Sequence, residues 1–541
     1  MNRSFEQLPE NLTKAIVHLT GIGLAIFLGL SAGSGNFMQV GKFVFLVLAL
    51  LYVLFLQNLT WKIIYFICTL GLNFIPGGIF FGASEITCAI LFCLFAATWW
   101  RKEKPITPFE TEKLPFRIFN VCLIAWITYN IIHMLYTIWD PYWAGDVAIK
   151  NLLKTYIQWA GLPIAVFYFM HFPQSLKIKE DFPKTMGKIL LFCLLANLAI
   201  RTYALLSGRF GGDPTLTKVE FAQGMFYIPG IGATENPYVF RILGPMSILF
   251  CMTFLHSEWI KSQGPGQRWI LLLCLGMSWI GTILGGGRAS IPLAVFFILS
   301  VYIFRKKYGR LILMGITAIF MIGLANGLYH IGLMQHLPPM VLRSCAVIII
   351  NKGEDAKVLL RGSNEMREDI FKMAIAEWKS DSRIFWFGRS TYSYGYDDIL
   401  DAQLRADGLL ISGLRRGASH NLISDLLIIF GLVGFCLFMA MIFSYLWLMW
   451  GIYRYKFYQN VEPGVRSLAL VAFLGTAGFV SYGLIAGGGM IDGFSLLIIL
   501  SRIYAVNISQ IQSAKSAESK TLPHIGRYWD APNFHAKRAI S

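Results

Sequence analysis

Apolar residues run along this chain in stretches long enough to cross a bilayer, broken by short polar or charged punctuation. A crossing helix needs about 20 such residues at about 1.5 Å rise each. Reading the runs between charges predicts spans at 14–31, 43–57, 62–79, 85–100, 116–138, 151–171 and 188–207. It predicts further spans at 236–255, 269–286, 289–304, 311–329, 422–451, 467–486 and 491–507. That makes about 14 transmembrane helices, an all-α polytopic membrane protein. The second and third spans are separated only by the stretch around Trp61 and Lys62. An even count puts both termini on one side.

Composition agrees with the pattern. Of 541 residues, 56% are hydrophobic and only 14% charged, and mean hydropathy is +0.57. Soluble domains average about 45–50% apolar and about 25% charged, which excludes a cytosolic enzyme. Disorder, collagen, coiled coil and a disulfide scaffold are excluded as well. Every cysteine but Cys345 sits in or beside an apolar run, and no CxxC pair occurs. The N-terminal MNRSFEQLPENLTK lacks a cleavable-signal pattern, so the first apolar run reads as a retained span.

The net charge of +17 has its source in loops. With the N-terminus in the cytoplasm, the loops 101–115, 172–188, 256–268, 305–310 and 452–466 hold 17 Lys and Arg; the short loops on the other face hold 5. That asymmetry predicts both termini cytoplasmic. It also accounts for the basic balance without nucleic acid.

One connection is long. Residues 1–329 carry spans 1–11, residues 330–419 form a large extracytoplasmic loop, and residues 420–507 carry spans 12–14. Residues 508–541 read as a poorly ordered cytoplasmic tail. Loops of this length are exempt from the charge rule and are usually functional. Inside it, Glu365–Trp378 has a helical period that predicts one apolar face of Met366, Ile370, Met373, Ala374 and Trp378. No internal repeat of the transporter kind is visible.

The orientation filters the residues that carry chemistry. Arginines in or near spans are paired, anchored at head groups or functional, and several lie towards the outer face against the general bias: Arg201, Arg209, Arg241, Arg288, Arg361 and Arg367. Guanidinium forks suit phosphate, and several on one face point to an anionic, phosphate-bearing substrate. His420 opens an apolar helix in GASHNLISDLLIIFGLVGFCLF, with Ser419 as a capping residue and Asn421 and Asp425 four apart. A neutral imidazole there accepts a proton from a sugar hydroxyl, or is satisfied by Asp425 or a carbonyl. The acids Asp397, Asp398 and Asp401 read as a solvated loop surface, and no metal site is expected.

Three tracts carry a resemblance. GGGRASIPLAVFFILSVYIF, SNEMREDIFKMAIAEWKSDSRIFWFGRSTYSYG and ASHNLISDLLIIFGLVGFCLF, in this order and preceded by ENPYVFRILG, resemble the O-antigen ligase and O-antigen polymerase superfamily of bacterial membrane glycosyltransferases. The likeness spans about 220 residues, from roughly 230 to 450. Where the family's turn often reads Ser-Arg-Gly, this chain has Gly287-Arg288-Ala289-Ser290, and only Gly388 stands for the glycine that follows the loop helix.

The resemblance implies a GT-C-like helical fold in the bacterial inner membrane and an inverting, metal-independent transferase facing the periplasm, with no cofactor. The donor would be a glycan on undecaprenyl diphosphate. The acceptor would be another glycan, lipid A-core or a protein. Arg288 and Arg367 match the family's diphosphate-binding arginines, with Arg361 beside them, and His420 matches its general base. Arg241, Arg209, Arg201 and Asn421 would line the substrate path, and a polysaccharide chain-length regulator would be a partner. Competing readings are a lipid-linked-oligosaccharide flippase or other transporter, a protein O-oligosaccharyltransferase, and a scaffold for polysaccharide assembly.

Overall fold

The computed structural model describes residues 113–138, scattered helical residues between 163 and 195, the strands at 226–234, and residues 238–284, 289–333, 349–350, 368–389, 421–454 and 463–486. Apart from a hairpin of two three-residue strands, β1 (Phe226–Ile228) and β2 (Gly232–Thr234), every described element is helical. The chain order is α1 (Lys113–Ile138), the hairpin, α2 (Tyr238–Leu255), α3 (Pro265–Leu284), α4 (Ser290–Phe304) and α5 (Tyr308–His330). Then come α6 (residues 368–378), α7 (Ser382–Phe387), α8 (Leu422–Arg454) and α9 (Pro463–Ala486).

Among the described residues four stretches are long and apolar enough to cross a membrane: Leu114–Thr137, Tyr308–His330, Leu422–Gly451 and Arg466–Leu484. They coincide with the spans read from sequence at 116–138, 311–329, 422–451 and 467–486. Helices also stand where spans were expected at 236–255, 269–286 and 289–304. Of the others, 151–171 and 188–207 are described only in fragments, and the first four and the last lie outside the described residues.

The packing explains why these helices belong together. Residues Ile248 to Phe254 of α2 are all buried, so α2 is apolar on every side because it has neighbours on every side. It packs on α3, α4 and α9. On α3 the buried residues are Gln267, Leu271, Cys274, Ser278 and Thr282, one stripe at helical spacing. Ser278 Oγ donates to the Cys274 carbonyl at 2.5 Å and Thr282 Oγ1 to the Ser278 carbonyl at 2.7 Å. Their polarity is thus satisfied inside the helix, and a Cβ on Gly244 would run into Thr282. Small residues let the two backbones approach closely.

α8 carries the second half of the core. Trp126 of α1 sits edge-on to Phe430 and Phe438 at 5.1 and 5.3 Å, and Phe119 meets Tyr445 at 5.2 Å. α1 therefore runs antiparallel to α8. The opposite faces of α1, α3 and α5 expose Val121, Ile132, Leu273, Ile312, Ile319 and Phe320. So much contiguous apolar surface is a liability in water and at home among lipid tails.

The alternation of helices defines two ends. One end holds the starts of α2, α4 and α8 and the ends of α1, α3, α5 and α9. The other holds His256, Trp259, Arg305, Arg310, Tyr453 and Gly464; Trp259 packs on Gly464, and Arg305 reaches Ser467.

Candidate functional site

At the first end, α8 begins at Asn421. Its Oδ1 accepts the amides of Ile423 at 2.9 Å and Ser424 at 3.4 Å, and its carbonyl accepts the Asp425 amide at 3.0 Å. This is the geometry of an N-cap, so the helix starts at Asn421, two residues after Ser419. Asn421 Nδ2 donates to the Leu484 carbonyl of α9 at 3.1 Å, where a Cβ on Gly483 would strike Leu422. The side-chain amide expected on the substrate path is thus engaged with backbone and ties α8 to α9. One turn on, Asp425 is 2% exposed, a buried carboxyl group at the positive end of a helix dipole.

The loop helices come to the same place. Ile370 and Ala374 of α6 are buried against Ile428 of α8, with Trp378 packed beside them. Met373, expected on that face, is 37% exposed: the buried stripe follows the i, i+4, i+8 positions 370, 374 and 378, and 373 falls to one side. Trp378 stacks on Phe385 at 4.6 Å and its Nε1 donates to the Phe385 carbonyl at 3.0 Å. Asp381 caps α7 by accepting the Arg383 amide at 2.7 Å.

α7 then ends against a break in α8. Gly388 has φ 76° and Gly431 φ 66°, both in the left-handed region that favours glycine. Their backbones lie against each other, and the Arg389 amide donates to the Ile428 carbonyl. The Arg389 guanidinium pairs with Glu377 of α6, and the two side chains are only 10% and 18% exposed.

Breaking α8 at Gly431 frees carbonyl groups at membrane depth, and these need donors. α1 supplies them. Tyr129 Oη donates to the Phe430 carbonyl at 2.6 Å, and His133 Nε2 lies 2.8 Å from the Phe387 carbonyl, so the Nε2–H tautomer donates there. Arg383 lies over the Tyr136 ring at 4.7 Å. Tyr129, His133, Glu377 and Arg389 were not among the candidates. The signals for them were the i, i+4 pair Tyr129 and His133 in an apolar span and the Gly431-x-x-Gly434 sequence, which a hydropathy reading passes over.

Arg201, Arg209, Arg288, Arg361, Arg367 and His420 lie outside the described residues, as do Asp397, Asp398 and Asp401; Arg241 is described by its backbone alone, in the first turn of α2. α4 starts at Ser290, two residues after Arg288, and packs Leu293 and Phe297 on Gly478 of α9. α8 starts two residues after His420 and packs Leu422 on Gly483. Both starts therefore meet the same half of α9. The described part of α6, residues 368–378, packs on the first turns of α8. Among the described residues, no three His, Cys, Asp or Glu side chains converge as a metal site would need.

Compared with protein-family models and with curated proteins, the sequence matches none.

Proposed function

We propose that this chain is a bacterial inner-membrane glycosyltransferase that transfers or polymerises a glycan carried on undecaprenyl diphosphate at the periplasmic face. Arg288 and Arg367 hold the diphosphate, with Arg361, Arg241, Arg209 and Arg201 along the lipid-linked donor's path. His420 removes the proton of the acceptor hydroxyl. A lipid diphosphate is already a good leaving group, so catalysis needs charge stabilisation more than an acid, and two arginines can supply it. The hydroxyl is a poor nucleophile, and a positioned base contributes about 10²–10⁴-fold.

The observation that carries the reading is the convergence of three separated sequence tracts. The chain following Arg288, the loop helix following Arg367 and the helix following His420 all lie at one end of one bundle, around α8 and α9. The described basic segments 256–268 and 305–310 lie at the other end, the distribution expected when the first end faces the periplasm. A large, partly helical loop docked on a broken helix, without visible repeats, suits an enzyme better than a flippase.

The test is genetic. The gene is deleted and restored as wild type, Arg288→Ala, Arg367→Ala or His420→Ala at matched membrane levels, and surface glycans are run on a gel. The proposal expects restoration by wild type alone. A deletion that leaves single repeats on the acceptor marks a polymerase, and lipid-linked polymer without transfer marks a ligase. Full restoration by all three variants sinks the enzyme reading and favours a transporter or scaffold.

A further inference from the structure

The opposite end of the bundle holds an arginine that no acid among the described residues balances. Arg305 is the C-cap of α4. Its Nη2 donates to Ser467 Oγ of α9 at 2.8 Å and reaches the Thr253 carbonyl of α2 at 3.4 Å, so three helices hold it in place. Its Nε is buried with no hydrogen-bond partner. Among the described residues no carboxylate pairs with it. The carboxylate in its neighbourhood, Glu258, gives its oxygen to Lys261 at 2.7 Å.

The other neighbours add positive charge or none. Lys306, Lys307 and Arg310 follow directly, and Arg466 precedes Ser467; all four are exposed. Arg310 Nη1 lies 2.9 Å from His256 Nδ1. A guanidinium has no lone pair to offer, so the imidazole accepts this bond and is neutral. Burial, together with Arg310, Arg305 and Lys307, lowers its pKa to about 4. A second histidine cation is thereby avoided, yet no anion is supplied.

The backbone concentrates this charge. The Lys307 amide donates to the Tyr302 carbonyl at 2.9 Å and the Lys306 amide to the Ile303 carbonyl at 3.0 Å, a helix ending of the Schellman type. The position after the cap is ordinarily glycine, but here it is Lys306 with φ 54°. A lysine kept where glycine is favoured is a local strain of the kind found at functional positions.

A desolvated guanidinium without a counter-charge is unfavourable unless an anion completes it. We propose that Arg305, held in place by Ser467 and with Lys307 and Arg310 at the rim, forms a second, non-catalytic site for a phosphate group at the end of the bundle remote from the start of α8. The guanidinium supplies the fixed charge for a phosphate, and the exposed rim lysine and arginine supply the surrounding field. Tyr453, whose Oη donates to the Phe304 carbonyl at 3.4 Å, and Trp450 under Arg454 stand at the same level, as aromatic residues do at a membrane boundary. The phosphate can belong to an anionic phospholipid or to a soluble phosphate. The inference does not depend on the function proposed above.

The full chain in phosphatidylcholine nanodiscs provides the test, with Kd measured for added phosphatidylglycerol by native mass spectrometry and for inorganic phosphate by calorimetry. Saturable binding of either probe is expected, weakened about tenfold or more in Arg305→Gln, the loss of one charge-assisted hydrogen-bonding group. Binding of phosphatidylglycerol alone identifies a lipid site; binding of inorganic phosphate identifies a soluble ligand. Should Arg305→Gln fail to fold, Lys307→Gln and Arg310→Gln, both exposed, must each weaken binding while Arg268→Gln does not. Equal affinity in wild type and variants, or no binding of either probe, overturns the proposal.

Discussion

Gly388 and Gly431 face each other backbone to backbone, one ending the loop helix α7 and the other breaking the membrane helix α8, and both have positive φ. Neither can carry a side chain. A Cβ on Gly388 would enter the Ile429–Gly431 backbone, and one on Gly431 would enter Trp386–Gly388. The α7 segment is therefore locked onto α8 by the absence of two side chains.

Substituting alanine at either glycine adds left-handed strain, about 1–2 kcal/mol, to a clash that only backbone movement relieves, about 1–3 kcal/mol more. Gly388→Ala and Gly431→Ala should each lower the thermal unfolding midpoint by several degrees and open the 382–389 segment to protease. Wild-type protection in both variants would mean that the two backbones do not meet.

The donors from α1 hold the same junction from the other side. Tyr129→Phe removes the donor to the Phe430 carbonyl, and His133→Phe removes the nearer donor to the Phe387 carbonyl, which Tyr129 Oη reaches only at 3.3 Å; each should cost about 1–3 kcal/mol. His133→Gln keeps a side-chain N–H and should recover part of the loss. Hydrogen exchange at 382–389 and 428–432 reads the effect; equal protection in all three variants would show that the carbonyls have other donors.

Glu377 and Arg389 form a largely buried pair, so removing one partner takes an opposite charge away from a group shielded from water. Glu377→Gln or Arg389→Gln should each cost about 3 kcal/mol, and the double variant less than the sum. Strict additivity in the double-mutant cycle would sever the pair.

Much of this architecture was legible in the apolar runs. Seven of the expected spans coincide with described helices, and four of these are long and apolar enough to cross a bilayer, which demands about 20 apolar residues whatever the neighbours do. Glu365–Trp378 was legible as a helix through Ile370, Ala374 and Trp378, but Met373 was assigned to the wrong face because apolar residues at i+3 and i+4 lie on both sides of a stripe. The cap at Asn421 was blurred by Ser419, since serine and asparagine cap equally well and only hydrogen bonds separate them. The break at Gly431 was hidden for a different reason. Hydropathy is blind to φ, and Tyr129 and His133 look like ordinary members of an apolar span until the carbonyls they satisfy are known.

At Arg288 the proposed function makes a chemical distinction. Arg288→Lys keeps the positive charge and loses the bidentate fork. Loss of one transition-state donor lowers turnover by about 10²–10³-fold. Glycan transfer by Arg288→Lys should therefore fall at least about 10²-fold at unchanged membrane level. Wild-type turnover would remove Arg288 from the site.

Lys306 sets stability against binding. Lys306→Gly relieves the left-handed strain at φ 54° and should raise stability by up to about 1 kcal/mol. It also removes one charge beside Arg305, so phosphatidylglycerol binding should weaken modestly in a better-folded protein. A variant that loses stability would show that the lysine side chain, not the backbone, holds the turn.

His256 gives the pH dependence its sign. Its pKa is 6.5 when unperturbed and about 4 in the folded chain, through burial first and the cations Arg310, Arg305 and Lys307 second. Between these values the unfolded chain binds a proton that the folded chain refuses, so stability falls as pH falls. The contribution is fully present above about pH 6.5 and lost progressively towards pH 4. His256→Gln keeps a group able to accept from Arg310 and cannot titrate. The wild-type unfolding midpoint should drop between pH 6.5 and 4 by more than that of His256→Gln, and the two curves should run parallel above pH 7. Parallel curves throughout would mean that the imidazole is not held neutral at the end of α2, and that Arg310 has a different acceptor.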